Sequence, residues 1–150
     1  MADFVFDRFL SGQMAGAGDR VDLTGDTIMV MLVSGSYIPS QQNDNVTGDI
    51  DVGGYSTESF GTNYTGKGVE LTSKTLTTVG TENARTGVFD AADVSWLNST
   101  ITASGALIYK SGTTANLIGF VDFADNKSSS AGTFSITWDA GGILHFRQGS

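Results

Sequence analysis

The sequence predicts an all-β domain, an antiparallel sandwich or barrel of about eight strands led by a short N-terminal helix. Three observations carry that expectation. Gly occurs 20 times in 150 residues and Pro once, which supplies turns without forbidding long ladders. Short apolar or alternating runs recur along the chain, with Thr and Ser abundant between them. Only the N-terminal segment spaces its apolar residues as a helix does.

That segment, "FVFDRFLSGQMAGA", sets Phe4, Phe6, Phe9, Leu10 and Met14 at helical intervals. It predicts a helix over 3–15 that Gly16 and Gly18 terminate. Residues 1–18 are therefore taken as an N-terminal arm and 19–150 as the β domain. "DLTGD", 22–26, is a turn. "DTIMVMLVSGSY", 26–37, is a strand over 27–37, ended by Pro39. Within it Ile28 to Val33 carry no polar side chain. A strand with one wet face alternates, so both faces of this one require cover. The Phe residues of the arm are one source of that cover and a neighbouring subunit is the other; the sequence leaves both open.

Residues 40–68 show no sustained apolar period and read as a long loop, a common site of interaction. "VELTSKTLTTV", 69–79, reads as one strand or two short ones through Val69, Leu71 and Leu76. Strands follow near 85–89, 94–97 and 99–110, with Gly105 marking a bulge, and over 116–125. "DNKSSSAG" is a turn. "TFSITW" places Phe134, Ile136 and Trp138 on one face and Thr133, Ser135 and Thr137 on the other. "DAGG" turns the chain into "ILHFR", so the last two strands read as a hairpin.

The length suits one domain with a proper core, and 39% apolar with 16% charged residues suits a globular chain. The formal net charge is −8. Such a surface repels phosphate backbones and anionic headgroups, so neither nucleic acid nor membrane is an expected partner. Without Cys there is no disulfide framework and no thiolate metal site. "MADFVFDRFL" interrupts its apolar residues with Asp3 and Asp7, so it is not expected to be a secretory signal.

Signals for catalysis are weak. The one His, His145, has no orienting partner nearby in sequence and reads as a surface or packing residue. "GKGVE" lacks the upstream Gly and the following Ser or Thr of a phosphate loop. "NDNVTGDID", 43–51, has Gly54 where a Ca²⁺ loop places its bidentate Glu, so Asp49 and Asp51 read as an acidic turn. Asp90 and Asp93 in "DAADVSW" read as caps of a loop. No enzyme activity, cofactor or metal is expected.

Five blocks are more informative together than any one alone: "DTIMVMLVSGSYIP", "VFDAADVSW", "STITASGALIYK", "LIGFVDF" and "SSSAGTFSITWDAGGIL". In that order they resemble a family of small virion-associated proteins of tailed bacteriophages, over residues 26 to 144. The chain departs from that pattern at Met29, where the family tends to have Lys, and at Ala92, where it tends to have Asp. The blocks are strand and turn, so the resemblance implies a structural role. The expected function is that of a capsid decoration protein, made in the host bacterial cytoplasm and bound to the major capsid protein or other virion proteins in the virion, with self-association. Alternatives are a tail, baseplate or fibre-associated subunit and, in a different class, a carbohydrate- or Ca²⁺-binding β-sandwich module. Expected assembly contacts are the aromatics of the arm, Phe4, Phe6 and Phe9, and those of the long loop, Tyr55, Phe60 and Tyr64. Isolated aromatics on polar segments are what interface anchors look like; the same residues could instead pin their own segments to the sandwich.

Overall fold

Seventeen residues, Val94–Lys110, form one strand that organises the rest of the molecule. The computed structural model describes residues 3–14, 20–35, 37–42, 58–112 and 116–147. In chain order the elements are β1 (Phe4–Val5), α1 (Asp7–Met14), β2 (Ile28–Val33), β3 (Gly61–Thr62), β4 (Val69–Glu70), β5 (Thr75–Thr81), β6 (Ala84–Asp90), β7 (Val94–Lys110), β8 (Leu117–Ser128), β9 (Gly132–Ile136) and β10 (Leu144–Arg147). They form two antiparallel sheets, one of seven strands and one of three. The all-β sandwich with a short N-terminal helix is the observed architecture.

The seven-stranded sheet runs β1-β8-β7-β2-β4, with β3 and β9 also paired to β7; the smaller sheet runs β10-β6-β5. The sequence splits β7 into 94–97 and 99–110, but the strand is continuous. Asn98 takes a left-handed conformation (φ 50°), and buried Ser99 satisfies the local backbone. Its hydroxyl meets the Trp96 and Gly132 carbonyls and the Ser129 hydroxyl. The irregularity is thereby absorbed as a bulge rather than a turn. The bulge expected at Gly105 is present: the register against β8 jumps between Ala103 and Gly105. A Cβ on Gly105 would lie 2.7 Å from the Phe120 ring and the Val121 carbonyl, so only glycine permits that approach.

Strand β2 pairs with β7 from Ile28↔Lys110 to Val33↔Gly105 and with β4 on its other edge. Its alternating side chains enter two separate apolar clusters. Ile28, Val30 and Leu32 join Phe89 of β6 and Leu144 of β10, with Ile101, Ile108 and Ile118, in the core between the sheets. Met31 and Val33 face the other way, into a cluster with Phe6, Tyr37, Leu107, Tyr109 and Phe120. The chain itself therefore covers both faces of "IMVMLV". Phe6 is fully buried there, and Phe4 packs edge-on against it at 5.1 Å between ring centroids.

The arm differs from the expected helix over 3–15. Phe4 and Val5 form a strand that adds to the edge of β8 through Phe4↔Phe120 and Val5↔Gly119. Helix α1 begins only at Asp7, whose charge suits its first turn. The F-V-F alternation fits a strand as well as a helix, and an open sheet edge settles the choice because it satisfies backbone groups that a lone helix start would leave to water. Phe6 N–H donates to the Ile118 carbonyl (3.0 Å) and Asp122 N–H to the Asp3 carboxylate (2.7 Å). Phe9 turns under the other side, into the inter-sheet core, and meets Phe146. Gly16 and Gly18 lie outside the described residues.

The terminal hairpin is also corrected. β9 pairs with β7, Val94↔Ile136 to Ser99↔Gly132, while β10 pairs with β6, Leu144↔Phe89 to Arg147↔Thr86. The two strands belong to different sheets, so residues 137–143 cross the sandwich end. Trp138 anchors the crossing: its N–H donates to Asp93 and its indole N–H to the Ala92 carbonyl, 2.9 and 3.0 Å. Phe134 and Ile136 are buried and Trp138 is half-buried. Of the two readings of 69–79, one strand or two short ones, the structure has two, β4 and β5. Leu71 is buried, Ser73 turns through the left-handed region (φ 52°), and the chain leaves one sheet for the other.

Candidate assembly surface

Of the six aromatics expected at assembly contacts, Phe6 and Phe9 are core residues of the chain itself, 0% and 2% exposed. Phe4 is half-buried against Phe6 and Phe120. Tyr64 is half-buried, with its ring 5.8 Å from that of Trp96. Tyr55 lies outside the described residues, as do Asp49 and Asp51. Among the five described ones Phe60 alone stands in solvent, 85% exposed. The reason for the difference is local. Phe9 lies in α1, Phe6 at the junction of β1 and α1, and Tyr64 just after β3, each packed against an apolar cluster, whereas Phe60 precedes a strand of Gly and Thr that has no apolar face.

The stem beneath Phe60 is built from buried polar groups. Glu58, 4% exposed, bridges to Val33 of β2. Its Oε1 accepts from the Tyr64 hydroxyl (2.9 Å) and from the Lys67 backbone N–H. Ser59 N–H donates to the Leu32 carbonyl at 2.9 Å, and Leu32 N–H to the Tyr64 hydroxyl oxygen at 3.1 Å. Burial raises the Tyr64 hydroxyl far above its ordinary pKa, and the Glu58 carboxylate pushes the same way, so the phenol stays protonated and keeps donating. Tyr109 donates to the Lys67 carbonyl at 2.7 Å. Gly68 makes the close approach possible: it has φ +80°, and a Cβ there would lie 1.8 Å from the Val30 carbonyl oxygen. Past Phe60, Gly61 and Thr62 pair with Ile101 and Thr100 of β7. Phe60 is thus an exposed ring on a backbone held from both sides.

Beside it lies an open cleft of about 570 Å³, lined by Ser34, Gly35, Phe60, Thr62, Thr102 and Asn126 among others. Among the described residues its lining carries hydroxyls, a carboxamide and backbone beside Phe60 and Ile101, and no titratable side chain. Such a surface can receive an apolar side chain on one side and hydrogen-bond a polypeptide on the other.

A second exposed feature is the β5–β6 hairpin. Every residue of β5 is exposed, including Leu76 (57%) and Val79 (51%). Among the described residues it pairs with β6 alone, from Thr75↔Asp90 to Thr81↔Ala84. The sequence reading placed Leu76 on a strand without assigning its face. The available signal is parity: Leu76 and Val79 are three apart, so a strand presents them on opposite faces and neither face is apolar.

The titratable groups serve local structure. Asp22 accepts from the Gly25 N–H, the Thr24 hydroxyl and the Thr24 N–H, which hold its carboxyl below the usual range. Asp26 is held low chiefly by its contact with Lys110, 2.8 Å away. Asp90 caps Ala91 N–H, and Asp93 accepts from Trp138. His145 is exposed, with Nε2 2.8 Å from the Gly141 carbonyl in its own turn. Among the described residues no three His, Asp or Glu groups gather in a way that could hold a metal ion, and no helix is long and apolar enough to cross a membrane.

No family model, curated protein or solved structure matches this chain at a significant level.

Proposed function

We propose that this chain is a non-enzymatic structural component of a tailed-bacteriophage virion, a decoration protein that binds the assembled lattice of the major capsid protein. It would be made in the host bacterial cytoplasm and added to the head. The resemblance over residues 26–144 supports the virion; the exposed Phe60 ring on its pinned stem carries the attachment. An 85% exposed phenylalanine costs solubility and contributes nothing to the core. With its backbone pinned beside an open cleft, it loses little backbone freedom on docking, which is how a few aromatic anchors come to dominate an interface. The partner is required to offer an apolar pocket ringed by hydrogen-bonding groups.

Attachment works by mass action. A protein that binds the assembled lattice and not the free subunits lowers the free energy of the assembled state. The net charge of −8 adds steering toward a basic rim, and that part weakens with salt. Because Phe60 is exposed, Phe60→Ser leaves the melting temperature unchanged. It weakens binding to purified heads stripped of this protein by about 2 kcal/mol or more, roughly thirtyfold. Co-sedimentation of wild-type and mutant protein with such heads reads this out. Equal binding by the mutant removes Phe60 from the interface, and gold label confined to the tail of intact particles rejects the head assignment.

A further inference from the structure

We propose that β5 is a pairing edge, through which two copies of this chain join as a two-fold dimer with Thr75–Thr81 of each running antiparallel about Thr78. This surface lies on the three-stranded sheet, separate from Phe60, which adjoins the seven-stranded one.

The first observation is an edge left without protection. An exposed sheet edge offers a row of unpaired N–H and C=O groups, and folded chains blunt such edges with charge, proline or a very short strand. β5 is seven residues long, pairs on one side only among the described residues, and contains neither a charged residue nor proline. Both its faces are in solvent, and it carries Leu76 and Val79 on opposite sides. Among the described residues neither side chain joins an apolar cluster of the core, and Leu76 only borders an open cleft with Val21 and Leu23.

The second observation is that the strand is complementary to itself. Thr78 is its middle residue, so a dyad there is the register that pairs all seven residues. It sets Thr75 opposite Thr81, Leu76 opposite Gly80, Thr77 opposite Val79 and Thr78 opposite its own copy. Threonine pairs and β-branched pairs are favourable across strands, and Leu76 lies over a residue with no side chain to obstruct it. No like charges face each other. The two three-stranded sheets become one of six, which closes the two β5 edges together and leaves β10 at either end.

The third observation is charge. Two copies at −8 each repel, so they meet most easily where the surface is neutral. The hairpin from Lys74 to Asp90 carries Lys74 and Arg85 against Glu82 and Asp90, a net charge of zero. That neutrality favours a second copy of this acidic chain over a basic partner, which would seek the acidic remainder of the surface.

The test uses the full chain. Wild type sediments as a dimer at micromolar concentration, and Thr78→Lys, which brings two ammonium groups together at the dyad, weakens dimerisation about tenfold or more with its melting temperature as a monomer retained. The chain has no Cys, so single Cys variants report distance directly. Residues directly opposed across an antiparallel pair have Cα atoms about 4.5–5.5 Å apart, within disulfide reach. Thr78→Cys therefore cross-links to itself under mild oxidation. Thr75→Cys does not, since its two copies lie roughly 20 Å apart along the strands, but a mixture of Thr75→Cys and Thr81→Cys does. A wild type that stays monomeric at hundreds of micromolar overturns the proposal. So does a dimer that Thr78→Lys leaves intact, or cross-linking of Thr78→Cys no faster than that of Thr75→Cys.

Discussion

Strands β2 and β5 are nearly equal in length and opposite in environment. In β2, "IMVMLV", five of six residues are buried and the sixth, Met29, is half-buried. In β5, "TLTTVGT", all seven residues are exposed. Both strands hydrogen-bond to neighbours, so hydrogen bonding does not separate them. What separates them is that β2 lies in the interior of a sheet with an apolar cluster on each face, while β5 lies at an edge with none. One strand supplies stability and the other surface. A domain retains a strand without core contacts at a cost in solubility, which makes β5 and the exposed Phe60, rather than the large arm aromatics, the places to look for contacts with other molecules.

Phe6→Ala should break the comparison most severely, because it uncovers the outer face of β2. Truncating a fully buried Phe costs about 3–5 kcal/mol, a large part of the roughly 5–15 kcal/mol that holds a domain together. Urea unfolding should show the loss, or the variant should aggregate. A stable, well-packed Phe6→Ala protein would mean that another group covers Met31 and Val33.

Leu32→Ala tests the inner face and should cost about 2–5 kcal/mol by the same measurement. A value near zero would show that the inter-sheet core collapses around the cavity.

A smaller effect comes from the clamp at the base of both strands. Asp26 precedes β2 and bonds Lys110 at the end of β7, while Lys74, just before β5, donates to the Asp26 carbonyl. The Asp26 carboxyl is held below its ordinary value of 3.8. A depressed carboxyl stabilises the fold above its unfolded pKa and loses that contribution as pH falls through the folded one. Asp26→Asn should therefore lower the melting temperature modestly at pH 7, and the difference from wild type should close as pH falls below about 4. A constant difference between pH 7 and pH 3 would exclude the ion pair as its source.

The smallest effect on folding belongs to β5. Leu76→Ser with Val79→Ser should change stability by no more than about 0.5 kcal/mol each, as exposed substitutions do. A loss comparable with Leu32→Ala would show that β5 is core after all.

Much of this fold follows from side-chain pattern. The alternation in "TFSITW" marks Phe134 and Ile136 as buried, the unbroken run in "IMVMLV" marks a strand covered on both faces, and Gly105 marks a bulge. These depend on period and on the presence or absence of a side chain, which a strand converts into position by local geometry alone. Of the candidate surface, the sequence pointed at Phe60 but grouped it with Phe6, Phe9 and Tyr64, because an aromatic on a polar segment looks the same whether its own chain or another one covers it.

Three matters were decided only by the tertiary structure. The edge of β8 turned Phe4 and Val5 into a strand. The positions available beside Trp96 and Phe89 sent "TFSITW" and "ILHFR" to different sheets, although a four-residue turn allows a hairpin between them. The break at Ser73 carried β5 away from the core and left Leu76 in solvent. Each is a choice between partners distant in sequence. Periodicity states that a face must be covered or an edge paired, but the covering group is selected by which distant segments arrive beside it, and loop closure and packing fix that for the chain as a whole.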